Sequence, residues 1–170
     1  LRINKSIFII LIGSICLSID SCRLVESNFE KKIGTGIVSI KKIKRFNWFK
    51  EAYLSYHPNT KVIDSIKLYK EFKINIIGGV WCSDTRTQLP RFIKMSEAIN
   101  FPLNDIKVIL VDREKTCKNC GDYSKEKYKL LWVPTFIIQD KDKLEIGRII
   151  ESPKVSLESD LLKILVNHYR

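Results

Sequence analysis

Two apolar runs, residues 74–80 and 106–112, constrain this chain more than any other feature. Each is short, rich in isoleucine and apolar at successive positions, which predicts strands buried on both faces. Between them Leu89, Phe92, Ile93 and Met95 recur at helical spacing, so a helix reaching to about residue 100 joins the two strands. Strands joined by a helix read as a parallel β-α-β unit with right-handed crossover. Pro90 lies inside that helix and predicts a kink. The pair Gly78-Gly79 near the end of the first strand predicts a close backbone approach or a bulge.

At the junction of strand and helix stands Trp81-Cys82-Ser83-Asp84-Thr85-Arg86. A sulfur there meets unpaired backbone N–H groups and the positive end of the helix dipole, both of which favour thiolate over thiol. Arg86 acts in the same sense and Asp84 opposes it. The competing role for Cys82 is that of a small buried hydrophobe, which free cysteine often plays.

The rest of the chain arranges itself around this unit. Asn47 predicts a helix start with an end near residue 56, and Thr60 caps a second helix over residues 61–72. After the strand at 106–112 comes a polar loop over 113–122 carrying Cys117-Lys118-Asn119-Cys120, then a short helix over 123–131. Strands at 136–139 and 144–150 lie close enough to form a hairpin. Ser156 caps a closing helix whose apolar side holds Leu157, Leu161, Ile164 and Leu165. His57 and His168 are both helix-end residues, and neither belongs to a metal-ligand pattern, so no metal site is assigned.

The chain divides into three segments. Residues 1–22 begin with Arg2 and Lys5, continue as an apolar stretch over 7–19 and end in Ile19-Asp20-Ser21-Cys22. That is the layout of an export signal peptide, and its apolar part is too short for a comfortable membrane span. The last four residues resemble a bacterial lipobox, with Asp20 departing from the usual small residue. The resemblance implies a lipidated Cys22 as mature N-terminus, and thus a lipid anchor to the membrane. Residues 23–45 read as a basic tether, with Lys31, Lys32, Lys41, Lys42, Lys44 and Arg45, or as holding a short edge strand over 37–40. Residues 46–170 form the folded domain with a helical N-terminal extension. The net charge of +11 permits an acidic partner, but the lysines are spread along the whole chain, so nucleic acid is not expected as a partner. Export implies an oxidising compartment, in which Cys82, Cys117 and Cys120 remain once the leader cysteines are set aside.

Trp81-Cys82, Pro90 eight residues later and Val133-Pro134-Thr135 before the hairpin occur in the order found in thioredoxins. From about residue 72 to 169 the chain resembles the thioredoxin fold. It looks most like exported bacterial thioredoxin-like proteins with a single active-site cysteine in Trp-Cys-x-x-Thr and with Gly147-Arg148-Ile149-Ile150-Glu151-Ser152-Pro153 after the hairpin. The resemblance implies an α/β three-layer sandwich: a mixed central sheet with a parallel β-α-β half and a C-terminal β-hairpin plus helix. It implies that Cys82 is the nucleophile, that Trp81 walls the site and that a cis Pro134 faces the sulfur. It also implies thiol-disulfide exchange with a protein or small-molecule disulfide in the cell envelope, without a cofactor.

Thr85 stands where thioredoxins carry a second cysteine. It can donate a hydrogen bond to the Cys82 sulfur but cannot resolve a mixed disulfide. Cys117 and Cys120 are open to three roles: a disulfide stiffening the loop, half of a metal site lacking its other ligands, or a distant resolving pair for Cys82. The third follows from topology, because loops leaving the carboxyl ends of two parallel strands emerge at one edge of the sheet. Without it, an external thiol or a membrane reductant resolves Cys82. A redox-silent thioredoxin-fold binding module is the alternative function.

Overall fold

The two isoleucine-rich runs form the centre of a five-stranded sheet in the computed structural model, which describes residues 34–170. In chain order the elements are β1 (Gly36–Val38), α1 (Ile40–Ile43), α2 (Asn47–Ser55), α3 (Thr60–Ile66), β2 (Phe72–Gly78), α4 (Ser83–Ala98), a 3-10 turn (Leu103–Asp105), β3 (Ile106–Leu110), β4 (Thr135–Asp140), β5 (Glu145–Ile150) and α5 (Leu157–Tyr169). The sheet order is β1-β3-β2-β4-β5. β2 and β3 are parallel, with Ile76 opposite Val108, and the other pairings are antiparallel. This is the mixed sheet flanked by helices expected of the thioredoxin α/β sandwich.

Alternation along the strands separates the two faces of the sheet. Ile76 pairs with Phe136 and Ile74 with Ile138 on the face where Phe92 of α4 stacks on Phe136, ring centroids 4.5 Å apart. Gly147 of β5 sits under α5; a Cβ there would lie 2.7 Å from Ile164 Cγ2, so only glycine allows this approach. Ile77, Ile109 and Ile137 point to the opposite face and pack with Val111, Cys120, Leu130 and Val133. A long connection, residues 111–134, covers this second face at the carboxyl end of the parallel strands.

The expected helix over 123–131 is absent, and the segment is a series of turns. Cys120 and Leu130 are both buried in one apolar cluster. A nine-residue helix would carry its ends about 13 Å apart. The chain instead folds back, with Leu130 N–H donating to Lys125 O and Lys129 in the left-handed region at φ 46°. Of the two readings of the basic stretch over 23–45, the short edge strand is formed: β1 pairs with β3 at the edge of the sheet, and Val38, Ile40 and Ile43 are buried. Residues 1–22, with Cys22, lie outside the described residues.

Candidate active site

Cys82 is the N-cap residue of α4, in extended conformation, with its carbonyl accepting from Arg86 N–H. Its sulfur is free, half-buried and 3.2 Å from the Val133 carbonyl, to which the thiol donates. The Val133-Pro134 peptide is cis, so the β4 approach turns sharply beside the sulfur. Pro134 itself is buried, and its carbonyl accepts from Glu151 N–H at 2.7 Å, which ties this turn to the end of β5.

The two glycines before the cysteine both serve close approach. Trp81 folds back over Gly79, where a Cβ would stand 2.4 Å from the indole nitrogen, and that nitrogen donates to Val111 O at 3.0 Å. Thr85 points inward and is fully buried against Gly78. Its hydroxyl oxygen accepts from Gly79 N–H at 3.2 Å. This side chain therefore locks the end of β2 to the first turn of α4.

The second sulfur pair arrives through the loop after β3. Asp112 accepts from both Thr116 N–H and the Thr116 hydroxyl, closing a tight turn that aims the chain at Cys117. These two bonds, the hydroxyl's first, hold the Asp112 carboxyl below its ordinary range. Cys117 and Cys120 are joined in a disulfide with Cα atoms 5.7 Å apart. Cys120 is 1% exposed within the apolar cluster, and Cys117 is half-buried at its border. Trp81 and Cys82 pack against the same cluster, so all three sulfurs share one apolar patch. Among the described residues there is no group of three or more His, Cys, Asp or Glu able to hold a metal.

Residues that pattern reading did not single out complete the setting. Tyr123 and Tyr128 stack with centroids 5.5 Å apart beside the disulfide, and the Tyr123 hydroxyl donates to Lys115 O at 2.9 Å. Burial, and then the negative charges of Asp112 and Glu126, push the Tyr123 phenol up to about 12, so it stays a donor. Arg148 forks onto Glu145 and donates to the carbonyls of Tyr128 and Lys129, which pins the end of the loop to β5. The only trace of this in the sequence is the Gly-Arg-Ile-Ile-Glu-Ser-Pro stretch, since the carbonyls it meets carry no residue-specific signal.

A sequence profile described as thioredoxin matches residues 40–161, well over half of the chain. The chain belongs to the thioredoxin family. No curated protein matches it. Among solved structures, a protein of unknown function from Pseudomonas aeruginosa is 13% identical with a TM-score of 0.51, covering 71% of this chain and 81% of its own. Thioredoxin O2 from Arabidopsis thaliana is 14% identical, with a TM-score of 0.39 over 65% of this chain and 85% of its own. Mitochondrial thioredoxin 3 from Saccharomyces cerevisiae is 20% identical, with a TM-score of 0.38 over 68% and 98%. At 13% identity the likeness to the Pseudomonas aeruginosa protein concerns fold alone.

One expectation is overturned. The chain was expected to be a thioredoxin relative with a single active-site cysteine, Trp-Cys-x-x-Thr. The disulfide between Cys117 and Cys120 is itself a Cys-x-x-Cys pair within the thioredoxin fold, so a single-cysteine Trp-Cys-x-x-Thr motif does not describe this chain. At 82–85, where thioredoxins carry their pair, Thr85 replaces the second cysteine, and of the roles open to Cys117 and Cys120 a disulfide is formed. The pair lies in the loop that leaves the neighbouring parallel strand.

Proposed function

We propose that this protein is a thiol-disulfide oxidoreductase of the cell envelope, with Cys117–Cys120 as its redox pair and Cys82 as the thiol that exchanges with substrate. The observation that carries the reading is the packing of a free, half-buried Cys82 and a Cys-x-x-Cys disulfide against one apolar cluster beside a cis proline.

In the reducing direction the cycle starts with three thiols. The Cys82 thiolate attacks one sulfur of the substrate disulfide, the substrate S–S bond breaks, and the first substrate thiolate leaves and takes up a proton. A thiolate of the pair then attacks the Cys82 sulfur and releases the second substrate thiol. The remaining thiol of the pair displaces Cys82 and closes the Cys117–Cys120 bond. Two electrons pass from the pair to the substrate, and Cys82 returns as a thiol, the same sulfur bonding as in the structure. An external dithiol reopens the pair. Pro134 and Trp81 shape the walls against which a substrate backbone would lie. The envelope assignment rests on the leader-like residues 1–22 and on the persistence of disulfides in oxidising compartments.

Dithiothreitol-driven insulin reduction by the wild type, Cys82→Ser and Cys117→Ser/Cys120→Ser tests the reading. Thiol-dependent turnover is expected for the wild type and its loss in both variants. Turnover by neither wild type nor variants would mark a redox-silent binding module. Full turnover by Cys82→Ser would remove Cys82 from the cycle.

A further inference from the structure

We infer that the rim of this thiol site selects disulfides flanked by carboxylates, through Arg113 and Lys115; the inference rests on the oxidoreductase reading. The Arg113 guanidinium lies over the Trp81 ring, 5.2 Å from its centroid, and the Lys115 ammonium lies over the Trp132 ring at 5.9 Å. Trp81 precedes Cys82, and Trp132 precedes Val133, whose carbonyl meets the Cys82 sulfur. The two cations thus sit over the aromatic residues that directly precede Cys82 and Val133, the two residues joined by the sulfur's hydrogen bond.

A cation seated on an aromatic face is oriented by the ring and keeps its other side open to an anion. Of the acidic residues in the same loop, Asp122 is paired with Lys127, while Asp112, held ionised by its bonds from Thr116, keeps its charge next to Arg113. Over 112–118 the three cations Arg113, Lys115 and Lys118 outnumber the two carboxylates Asp112 and Glu114, and Asp84 is the acidic residue in the first turn of α4. Beside them Leu131 and Trp132 are 69% and 58% exposed, an apolar shelf next to the cations. A disulfide whose neighbouring groups are carboxylates would meet opposite charge beside the sulfur, whereas one carrying ammonium groups would meet like charge. Exchange follows the cycle above; only the encounter and orientation of the disulfide depend on the rim.

Three small disulfides of similar size separate charge from chemistry: dithiodipropionate (anionic), hydroxyethyl disulfide (neutral) and cystamine (cationic). The protein is reduced, freed of reductant, mixed with each and quenched by alkylation; mass then reports closure of Cys117–Cys120 as the loss of two labels. The anionic disulfide should react about tenfold faster than the cationic one at low ionic strength, and the ratio should shrink with added salt. Arg113→Gln/Lys115→Gln should remove most of that ratio, and each single variant part of it. Lys70→Gln/Lys163→Gln, which takes the same charge from elsewhere, should keep it. A ratio near one, or an equal loss in both double variants, would overturn the inference, the latter because net charge alone then explains the preference. Reaction with hydroxyethyl disulfide without charge discrimination would leave the oxidoreductase reading standing and end this one. No reaction with any of the three would end both.

Discussion

Thr85 shows how a residue next to the chemistry can serve the fold instead. Its hydroxyl is turned away from bulk solvent to accept the Gly79 N–H, and its methyl fills the space that Gly78 leaves empty. Thr85→Val keeps the shape and removes the acceptor, leaving a buried N–H without a partner. The expected cost is about 1–3 kcal/mol, read as a lower urea midpoint at unchanged slope. A variant as stable as the wild type would show that the hydrogen bond contributes nothing. The Gly78-Gly79 pair was legible as a close approach, because only glycine tolerates one inside a strand. What approaches was not legible, because Thr85 and Trp81 come back to these glycines along a path set by α4 and the cis turn.

At the level of elements, Glu158 connects the start of α5 to the segment between α2 and α3. This buried carboxylate accepts from the Tyr56 hydroxyl and, at 2.9 Å, from Asn59 N–H. Burial pushes the Glu158 carboxyl up, but the bonds from Tyr56, from Asn59 and from its own N–H outweigh it and hold the group below the usual 4.5. Tyr56, raised by burial and then by the Glu158 bond, stays a donor. A carboxyl held low in the folded state binds fewer protons there than when unfolded. Its stabilisation is therefore complete above about 4.5 and is lost as pH falls through the lower folded value. Glu158→Gln should reduce stability at pH 7 and flatten the fall between pH 5 and 3, followed by urea midpoints across that range. Parallel acid limbs for wild type and variant would refute the role. The helix start was legible from Ser156, whose hydroxyl oxygen accepts from Ser159 N–H. The partner of Glu158 was not, since Tyr56 lies 102 positions away.

For the whole molecule, residues Thr35–Arg170 form one compact unit. If residues 1–22 direct export and Cys22 carries lipid, the 170-residue chain expressed in a bacterium sediments with membranes and Cys22→Ser moves it to the soluble fraction. Equal partition of the two would leave the lipid without support. By itself the sequence determined the parallel β-α-β centre, the cysteine at its strand-to-helix junction and the proline turn before the hairpin, because each depends on local periodicity or on residues with restricted backbones. Only the tertiary structure decided that β1 joins the sheet, that residues 123–131 form turns and that Cys117 and Cys120 close a disulfide packed on the same apolar patch as Cys82. Those outcomes depend on contacts between segments far apart in the chain, where the burial of Cys120 and Leu130 on the sheet outweighs the weak helical preference of a short segment.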